Sequence, residues 1–241
     1  MSQEQKLWFI IDIGSAPIYD EPTFRSSWIT EAIYGESCKI LDIEKNWIQI
    51  KCEDGYTGWI NSFYGFQTMK RNNPKYIVAY PNDNGLFSCK YPFGSMVQEE
   101  ISGTIPINET LGLDNVLNIA HYLLGTPYRW GGRSSLGFDC SGLVQSVLKI
   151  CGLNIPRDAQ DQKFFFKNEK INLFDARPGD LHFFGEKDKV THVGFSTQGA
   201  GLLHSQGFVK KDSIDHSIKG HNKNLLDIYL STHSIKCKFE Q

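Results

Sequence analysis

The fold is decided around residue 140, where the chain reads Gly137-Phe138-Asp139-Cys140-Ser141-Gly142-Leu143-Val144-Gln145-Ser146-Val147-Leu148-Lys149-Ile150. Asp139 is a favourable helix N-cap, and the apolar residues after it recur at helical spacing up to Gly152, which predicts a helix over 139–150. Cys140 then lies in the first turn, where the positive end of the helix dipole lowers the pKa of a thiol. Cys140 is therefore a candidate nucleophile. The alternative is a small buried hydrophobic residue, the usual state of a helical cysteine.

The patterns on the two sides of this helix differ. Residues 114–124 also have helical spacing and end at Gly125, and strand-like runs follow at 180–184, 191–195 and 202–205. Helices followed by an antiparallel sheet predict an α+β domain over 109–241. Before Asn108 the pattern is one of short strands and turns, such as the alternating segment 47–52 and the turn at 53–55, and it predicts a small β-barrel over 1–66. Residues 67–108 are either a truncated second barrel or a connector.

Composition excludes several classes of protein. The 241 residues are 40% hydrophobic and 22% charged, which is typical of a folded globular chain. The formal charge of −2 lacks the basic excess of a nucleic-acid-binding protein, and no apolar run has the length of a secretory signal or a membrane span. The six cysteines occur singly, without the spacing of a zinc site or a disulfide framework. We therefore expect a cytoplasmic protein with no metal or cofactor, and neither nucleic acid nor membrane as its partner.

Two histidines could supply a base for Cys140. His192 and His204 flank the turn-rich segment 196–201, and a hairpin centred on Gln198 would place them directly opposite each other. One imidazole could then orient the other, as in a nucleophile–base–orienter set. The alternative is a surface pair or a metal pair, although no carboxylate or third histidine has suitable spacing for a metal.

Five motifs in the second half resemble the NlpC/P60 family of cysteine peptidases. They follow that family's order and are Pro127-Tyr128-Arg129-Trp130-Gly131-Gly132, Phe138-Asp139-Cys140-Ser141-Gly142-Leu143-Val144, Ile155-Pro156-Arg157-Asp158-Ala159, Arg177-Pro178-Gly179-Asp180-Leu181 and Thr191-His192-Val193-Gly194. The resemblance implies a papain-like α+β core in which Cys140 is the nucleophile, His192 the base and His204 the orienter. It also implies that Tyr128 lies beside the nucleophile, that Trp130 shapes the cleft and that Ser141 contacts substrate.

The amino-terminal half resembles a bacterial SH3 (SH3b) domain, most clearly at Ile33-Tyr34-Gly35-Glu36 and Asp54-Gly55-Tyr56-Thr57-Gly58-Trp59-Ile60. The combination is similar to the γ-D-glutamyl-L-diamino acid endopeptidases of cell-wall peptide recycling, in which the SH3b domain closes one end of the cleft. The resemblance implies that Tyr56, Asp139 and Glu36 bind the free amine of an amino-terminal L-alanine. The alternatives are barrel packing for Tyr56, a solvated turn for Glu36 and helix capping for Asp139.

The resemblance thus implies hydrolysis of the bond between γ-D-glutamate and a diamino acid in murein-derived peptides. Two other functions are compatible with the same residues. One is a non-catalytic protein that binds muropeptides, and the other is a thiol acyltransferase or amidase built on the same core.

Overall fold

The computed structural model describes residues 7–187 and 189–240, and these form two compact units. One unit contains residues 7–109 and 130–136, and the other contains residues 110–129 and 137–240. Residues 1–6 of the predicted barrel and residues 188 and 241 of the predicted α+β domain lie outside the described residues. No helix within the described ranges is both long and apolar enough to cross a membrane.

The first unit begins with a seven-stranded antiparallel sheet. Its strands are β1 (Trp8–Ile11), β2 (Ser15–Tyr19), β3 (Trp28–Ile33), β4 (Ser37–Glu44), β5 (Trp47–Lys51), β6 (Thr57–Asn61) and β7 (Gly65–Thr68). They lie in the order β3-β2-β6-β5-β4-β1-β7. The predicted alternation is confirmed in β5, where Ile48 and Ile50 are fully buried and Lys51 is exposed. The predicted turn after β5 is also present, and Gly55 takes the left-handed conformation there with φ 88°.

Residues 67–108 are part of this first unit and contribute a second, smaller sheet. It consists of β8 (Tyr76–Val78), β9 (Met96–Val97) and β10 (Thr104–Pro106), with β8 in the middle and both pairings antiparallel. Ile77 in β8 and Met96 in β9 are buried, as is Phe93 shortly before β9. The short strand β11 (Arg133–Ser134) also belongs to this unit.

The second unit confirms the predicted α+β order. Its helices are α1 (Val116–Tyr122), α2 (Cys140–Ile150), α3 (Ala159–Phe165), α4 (Lys223–Asp227) and α5 (Lys236–Phe239). Its strands are β12 (Gly137–Phe138), β13 (Lys170–Ile171), β14 (Leu181–Glu186), β15 (Lys189–Gln198), β16 (Gly201–Gln206), β17 (Phe208–Ser213) and β18 (Tyr229–His233). Six of these strands form one antiparallel sheet in the order β13-β18-β14-β15-β16-β17.

Helix α2 forms the centre of this unit because it packs against β15 and β16. Its apolar side chains Leu143, Val144, Val147 and Leu148 are completely buried, as the helical spacing predicts. Cys151 caps the helix at its carboxyl end and is also completely buried. The sheet and the first turn of α2 are therefore held together by a continuous apolar core, at roughly 1.5–3 kcal/mol for each buried aliphatic side chain.

All six cysteines lie in the described ranges and are free thiols. The fold nevertheless brings together two that are distant in sequence. Cys38 is the second residue of β4, Cys52 follows β5, and the sulfur atoms of these buried residues are 4.0 Å apart.

Candidate active site

The first turn of α2 is fixed by Asp139. This residue has extended backbone angles, φ −86° and ψ 178°, and its Oδ1 accepts a hydrogen bond of 2.7 Å from the amide of Gly142. Asp139 is thus the N-cap that the sequence predicts, and Cys140 is the first residue of the helix. The side chain of Cys140 is buried, in a unit that also contains both candidate histidines.

The two candidate histidines lie on the adjacent strands β15 and β16, but the predicted register is wrong. Phe195 pairs with Leu203 and Gln198 with Gly201, so the loop is the two-residue segment Gly199–Ala200 and β15 has an irregularity after Ser196. This register places His204 opposite Gly194, where a side chain on the glycine would lie 2.7 Å from the Cβ of His204. The two histidines are therefore diagonal neighbours on one face instead of direct partners.

The diagonal arrangement still brings the two rings into contact. Nε2 of His192 lies 2.7 Å from Nδ1 of His204, and the rings meet edge to face with their centroids 5.0 Å apart. Nε2 of His204 lies 3.0 Å from Oδ2 of Asp212 on β17. The structure therefore joins His192, His204 and Asp212 in one hydrogen-bonded chain.

The sulfur of Cys140 lies beside the residue that follows His192. The backbone amides of Val193 and Ser141 lie close enough to this sulfur to favour its thiolate form and lower the pKa of the thiol. Strand β15 thus holds both the candidate base and an amide that contacts the candidate nucleophile. A thiol–imidazole mechanism needs a base on an element next to the nucleophile, and β15 is such an element.

Burial sets the protonation state of this pair. It raises the pKa of the Cys140 thiol to about 12, the negative charge of Asp139 adds to the increase, and the amide of Val193 and the charge of Arg157 oppose it. Burial likewise lowers the pKa of His192 to about 3, with further contributions from His204 and Lys210. The expectation of a lowered thiol pKa is therefore wrong, because loss of hydration outweighs the helix dipole. The substrate-free site contains a neutral thiol and a neutral imidazole.

Asp139 has a second partner that the sequence did not reveal. Nη1 of Arg157 lies 3.1 Å from Oδ1 of Asp139 and 2.8 Å from the hydroxyl of Ser141, and Nη2 of Arg157 binds Oδ2 of Asp139. All three side chains are buried. The carboxylate predicted to bind a substrate amine is thus already engaged in a buried ion pair, and Ser141 shares that pair.

Tyr128 lies close enough to the nucleophile to interact with its charge. Burial, together with the nearby Cys140 and Asp139, raises the pKa of Tyr128 to about 12, and the charge of Arg157 opposes the increase. The phenol therefore keeps its proton at neutral pH and can donate a hydrogen bond. Its backbone amide donates to the carbonyl of Gly207, 2.9 Å away, in the turn before β17.

Three predicted substrate-binding residues belong to the first unit. Trp130 is 68% exposed. Tyr56 packs against the core of the seven-stranded sheet, which agrees with barrel packing, the alternative to substrate binding. Glu36 is buried, so the alternative of a solvated turn residue is wrong. Its Oε2 accepts from the amide of Ile33 at 3.0 Å and its Oε1 from Nη2 of Arg133 at 2.6 Å.

Both oxygens of Glu36 thus have partners within the first unit. Arg133 also lies 3.5 Å from Asp54, and its amide donates to Glu31 at 2.6 Å. The buried guanidinium of Arg133 therefore lies among the carboxylates of Glu31, Glu36 and Asp54. This arrangement favours a structural role for Glu36.

Asp212 and Arg157 are the site residues that sequence reasoning missed. Arg157 lies in the third of the five motifs that resemble the family, but no spacing rule connects it with Asp139. The sequence does contain a pattern from which Asp212 could have been predicted. A hairpin centred on Gly207 pairs His204 with Lys210, and Asp212, two residues further along β17, then shares their face of the sheet. Within the described ranges, no three His, Cys, Asp or Glu side chains are arranged so that they could hold a metal ion.

A helix-terminal cysteine beside a sheet that carries paired histidines is the arrangement of a cysteine peptidase. Comparison with known proteins agrees. A model of the NlpC/P60 family matches residues 125–226, and a model of the bacterial dipeptidyl-peptidase Sh3 domain matches residues 18–62. The chain therefore contains an NlpC/P60 domain preceded by a bacterial SH3 domain.

Relatives span both domains. A γ-D-glutamyl-L-lysine dipeptidyl-peptidase from Bacillus subtilis is 28% identical over 73% of this chain and 71% of its own length. A protein of the same name from Bacillus cereus is 23% identical over 85% of this chain and 71% of its own length. A crystal structure of an NlpC/P60 family protein from Bacillus cereus has a TM-score of 0.77, covers 94% of this chain and 99% of that chain, and is 18% identical. Because its sequence identity is only 18%, this crystal structure is evidence for the fold and not for the function.

Proposed function

We propose that the protein is a cysteine endopeptidase that hydrolyses the bond between γ-D-glutamate and a diamino acid in murein peptides. The observation that carries the proposal is the placement of Cys140 at the first turn of α2, beside the strand whose His192 is bonded to His204, which is bonded in turn to Asp212. The relatives named γ-D-glutamyl-L-lysine dipeptidyl-peptidase support the choice of bond.

The neutral resting pair determines how the reaction starts. As the sulfur attacks the γ-carbonyl carbon of D-glutamate, the thiol proton passes to His192. Because Nε2 of His192 is bonded to His204, the nitrogen that accepts this proton is Nδ1. The base removes the proton during attack, so the site does not need a preformed thiolate.

The negative charge that develops on the carbonyl oxygen needs donors. The amide of Cys140, at the first position of α2, and the hydroxyl of Tyr128 are our candidates. His192 then gives its proton to the nitrogen of the departing diamino acid, and water releases the acyl group from the sulfur by the reverse sequence of proton transfers.

We further propose that the substrate has a free amino-terminal L-alanine and that the enzyme acts in peptide recycling in the cytoplasm. The names of the relatives support the first point, since a dipeptidyl-peptidase releases two residues from an amino terminus. The six free thiols support a reducing compartment.

The test is incubation with L-Ala-γ-D-Glu-L-Lys, the meso-diaminopimelate analogue and the amino-acetylated form of each, with products identified by mass spectrometry. We expect L-Ala-D-Glu from the free peptides, no product from the acetylated ones and no product from Cys140→Ala. The control is Cys151→Ala, which changes the buried cysteine at the other end of the same helix and should remain active. Binding of the peptides by the wild-type protein without release of a product would refute the proposal.

A further inference from the structure

Asp212 lies at the far end of the histidine chain. Strand β17 pairs with β16 so that Lys210 faces His204 and Asp212 lies two residues further along the same face. Oδ2 of Asp212 is 3.0 Å from Nε2 of His204, whose side chain is completely buried. Both ring nitrogens of His204 therefore have protein partners, His192 on one side and Asp212 on the other.

The surroundings keep this carboxyl group ionised. Burial opposes ionisation of Asp212, but hydrogen bonds from Asn222 and His204 and the charge of Lys210 outweigh it, and the pKa of Asp212 is lowered. Nδ2 of Asn222 donates to Oδ2 at 3.0 Å, and Nζ of Lys210 lies 3.3 Å from the same oxygen. At neutral pH Asp212 can therefore only accept hydrogen bonds.

An acceptor at this point determines where the protons of both imidazoles lie. Because Asp212 accepts, Nε2 of His204 must carry its proton, which leaves Nδ1 of His204 with a lone pair. That lone pair accepts from Nε2 of His192, so the proton of His192 also lies on Nε2. Nδ1 of His192 is then unprotonated and can receive the proton of the thiol. In the opposite arrangement His204 donates to His192, the proton of His192 lies on Nδ1, and the base is lost.

We propose that Asp212 is a positioning residue which, through His204, holds His192 in the tautomer that accepts the thiol proton. The inference rests on the proposed peptidase function. Once His192 has become an imidazolium, the same carboxylate stabilises the positive charge shared by the two rings, as an aspartate does for the histidine of a serine-peptidase triad.

The first test reads the tautomers directly and needs no substrate. Long-range ¹H–¹⁵N spectra of the full chain at pH 8 should show both His192 and His204 protonated at Nε2. Asp212→Ala should give mixed tautomers at both rings. Asp212→Asn keeps an acceptor oxygen and should retain the wild-type pattern. A wild-type spectrum with the proton of His192 on Nδ1 would overturn the proposal even if no variant folded.

The second test uses turnover. Asp212→Ala should lower kcat by about 10- to 100-fold, by analogy with the cost of removing the outer hydrogen-bond partner of a metal-bound histidine, and leave KM unchanged. Asp212→Asn should recover part of the loss. The matched control is Asp215→Ala, the same substitution three residues further on, where the carboxylate binds only the turn residue Ser217 in the hydrogen bonds of the structure. Its kcat should equal that of the wild type.

The two tests separate the two hypotheses. If no murein peptide is cleaved, the spectra still decide the role of Asp212. If peptides are cleaved and Asp212→Ala changes neither the tautomers nor kcat, Asp212 has no positioning role, although the peptidase function stands. A fall in kcat with wild-type tautomers would also overturn the proposal.

Discussion

Gly194 provides the sharpest test of the histidine arrangement. It lies on β15 opposite His204, and its backbone angles are ones that any residue can adopt. A Cβ added there would lie 2.7 Å from the Cβ of His204, 2.7 Å from Cδ1 of Leu202 and 3.0 Å from the carbonyl oxygen of Leu203. Gly194→Ala must therefore displace His204 or separate the strands.

The size of the effect follows from these distances. Ordinary carbon–carbon contacts lie at 3.4–4 Å and the added Cβ would lie 2.7 Å from the Cβ of His204, so relief of the clash requires a movement of roughly 0.7–1.3 Å at His204. Displacements of ~1 Å in a catalytic set cost about 100-fold in rate. Overpacking of this kind costs about 1–3 kcal/mol in the free energy of unfolding. We expect kcat to fall about 100-fold while most of the protein stays folded at 25 °C.

The measurement is kcat on L-Ala-γ-D-Glu-L-Lys together with urea unfolding of the same samples. Gly201→Ala is the control, since a Cβ at this position in the same hairpin would meet the hydroxyl of Thr197, which can rotate away, and not a histidine. It should lower stability without a comparable loss of kcat. Wild-type turnover in Gly194→Ala would show that the rings of His192 and His204 do not need their observed geometry, and the reasoning would fail.

Three other predictions concern buried side chains that can gain or lose a proton or that carry a charge. Since burial holds the pKa of Cys140 at about 12, its rate of alkylation by iodoacetamide should rise about tenfold per pH unit between roughly pH 6 and 9, and a plateau below neutrality would contradict the neutral resting pair. Burial lowers the pKa of His182 to about 4, below its unfolded value, so its neutral form stabilises the protein above roughly pH 6.5 and that contribution is lost as the pH falls toward 4. His182→Gln should remove about 2 kcal/mol of the stability difference between pH 8 and pH 5 measured by urea unfolding, and an unchanged difference would contradict this. Arg157→Met leaves Asp139 buried without its cation and should cost ~3–5 kcal/mol, whereas Asp139→Asn combined with Arg157→Met should cost clearly less; equal losses in a denaturant titration would argue against the buried pair.

Much of the fold could be predicted from the sequence because the signals are local. A cap at Asp139 followed by apolar residues at helical spacing specifies α2 to within one residue of its observed start. Alternation specifies β5, and the left-handed Gly55 marks the turn after it. Each of these features depends on residues a few positions apart, so propensity and periodicity are sufficient.

The register of the histidine hairpin could not be predicted in the same way. A symmetrical loop around Gln198 and a two-residue loop at Gly199–Ala200 use the same residues, and the irregularity after Ser196 leaves no mark in the sequence. A change of two residues in register moved the partner of His204 from His192 to Gly194, while both histidines stayed on one face.

Local patterns along the chain specify the types of residue available for chemistry, the helix that presents Cys140 and the strands that carry the two histidines. Three features depend on the folded arrangement instead: Asp212 completes the histidine chain, Arg157 neutralises Asp139, and the thiol is protonated at rest. The two kinds of feature differ in how far apart along the chain the interacting residues are. Helix caps and strand alternation act over a few residues, whereas hydrogen bonds and loss of hydration depend on distances of a few ångströms between groups far apart in the chain.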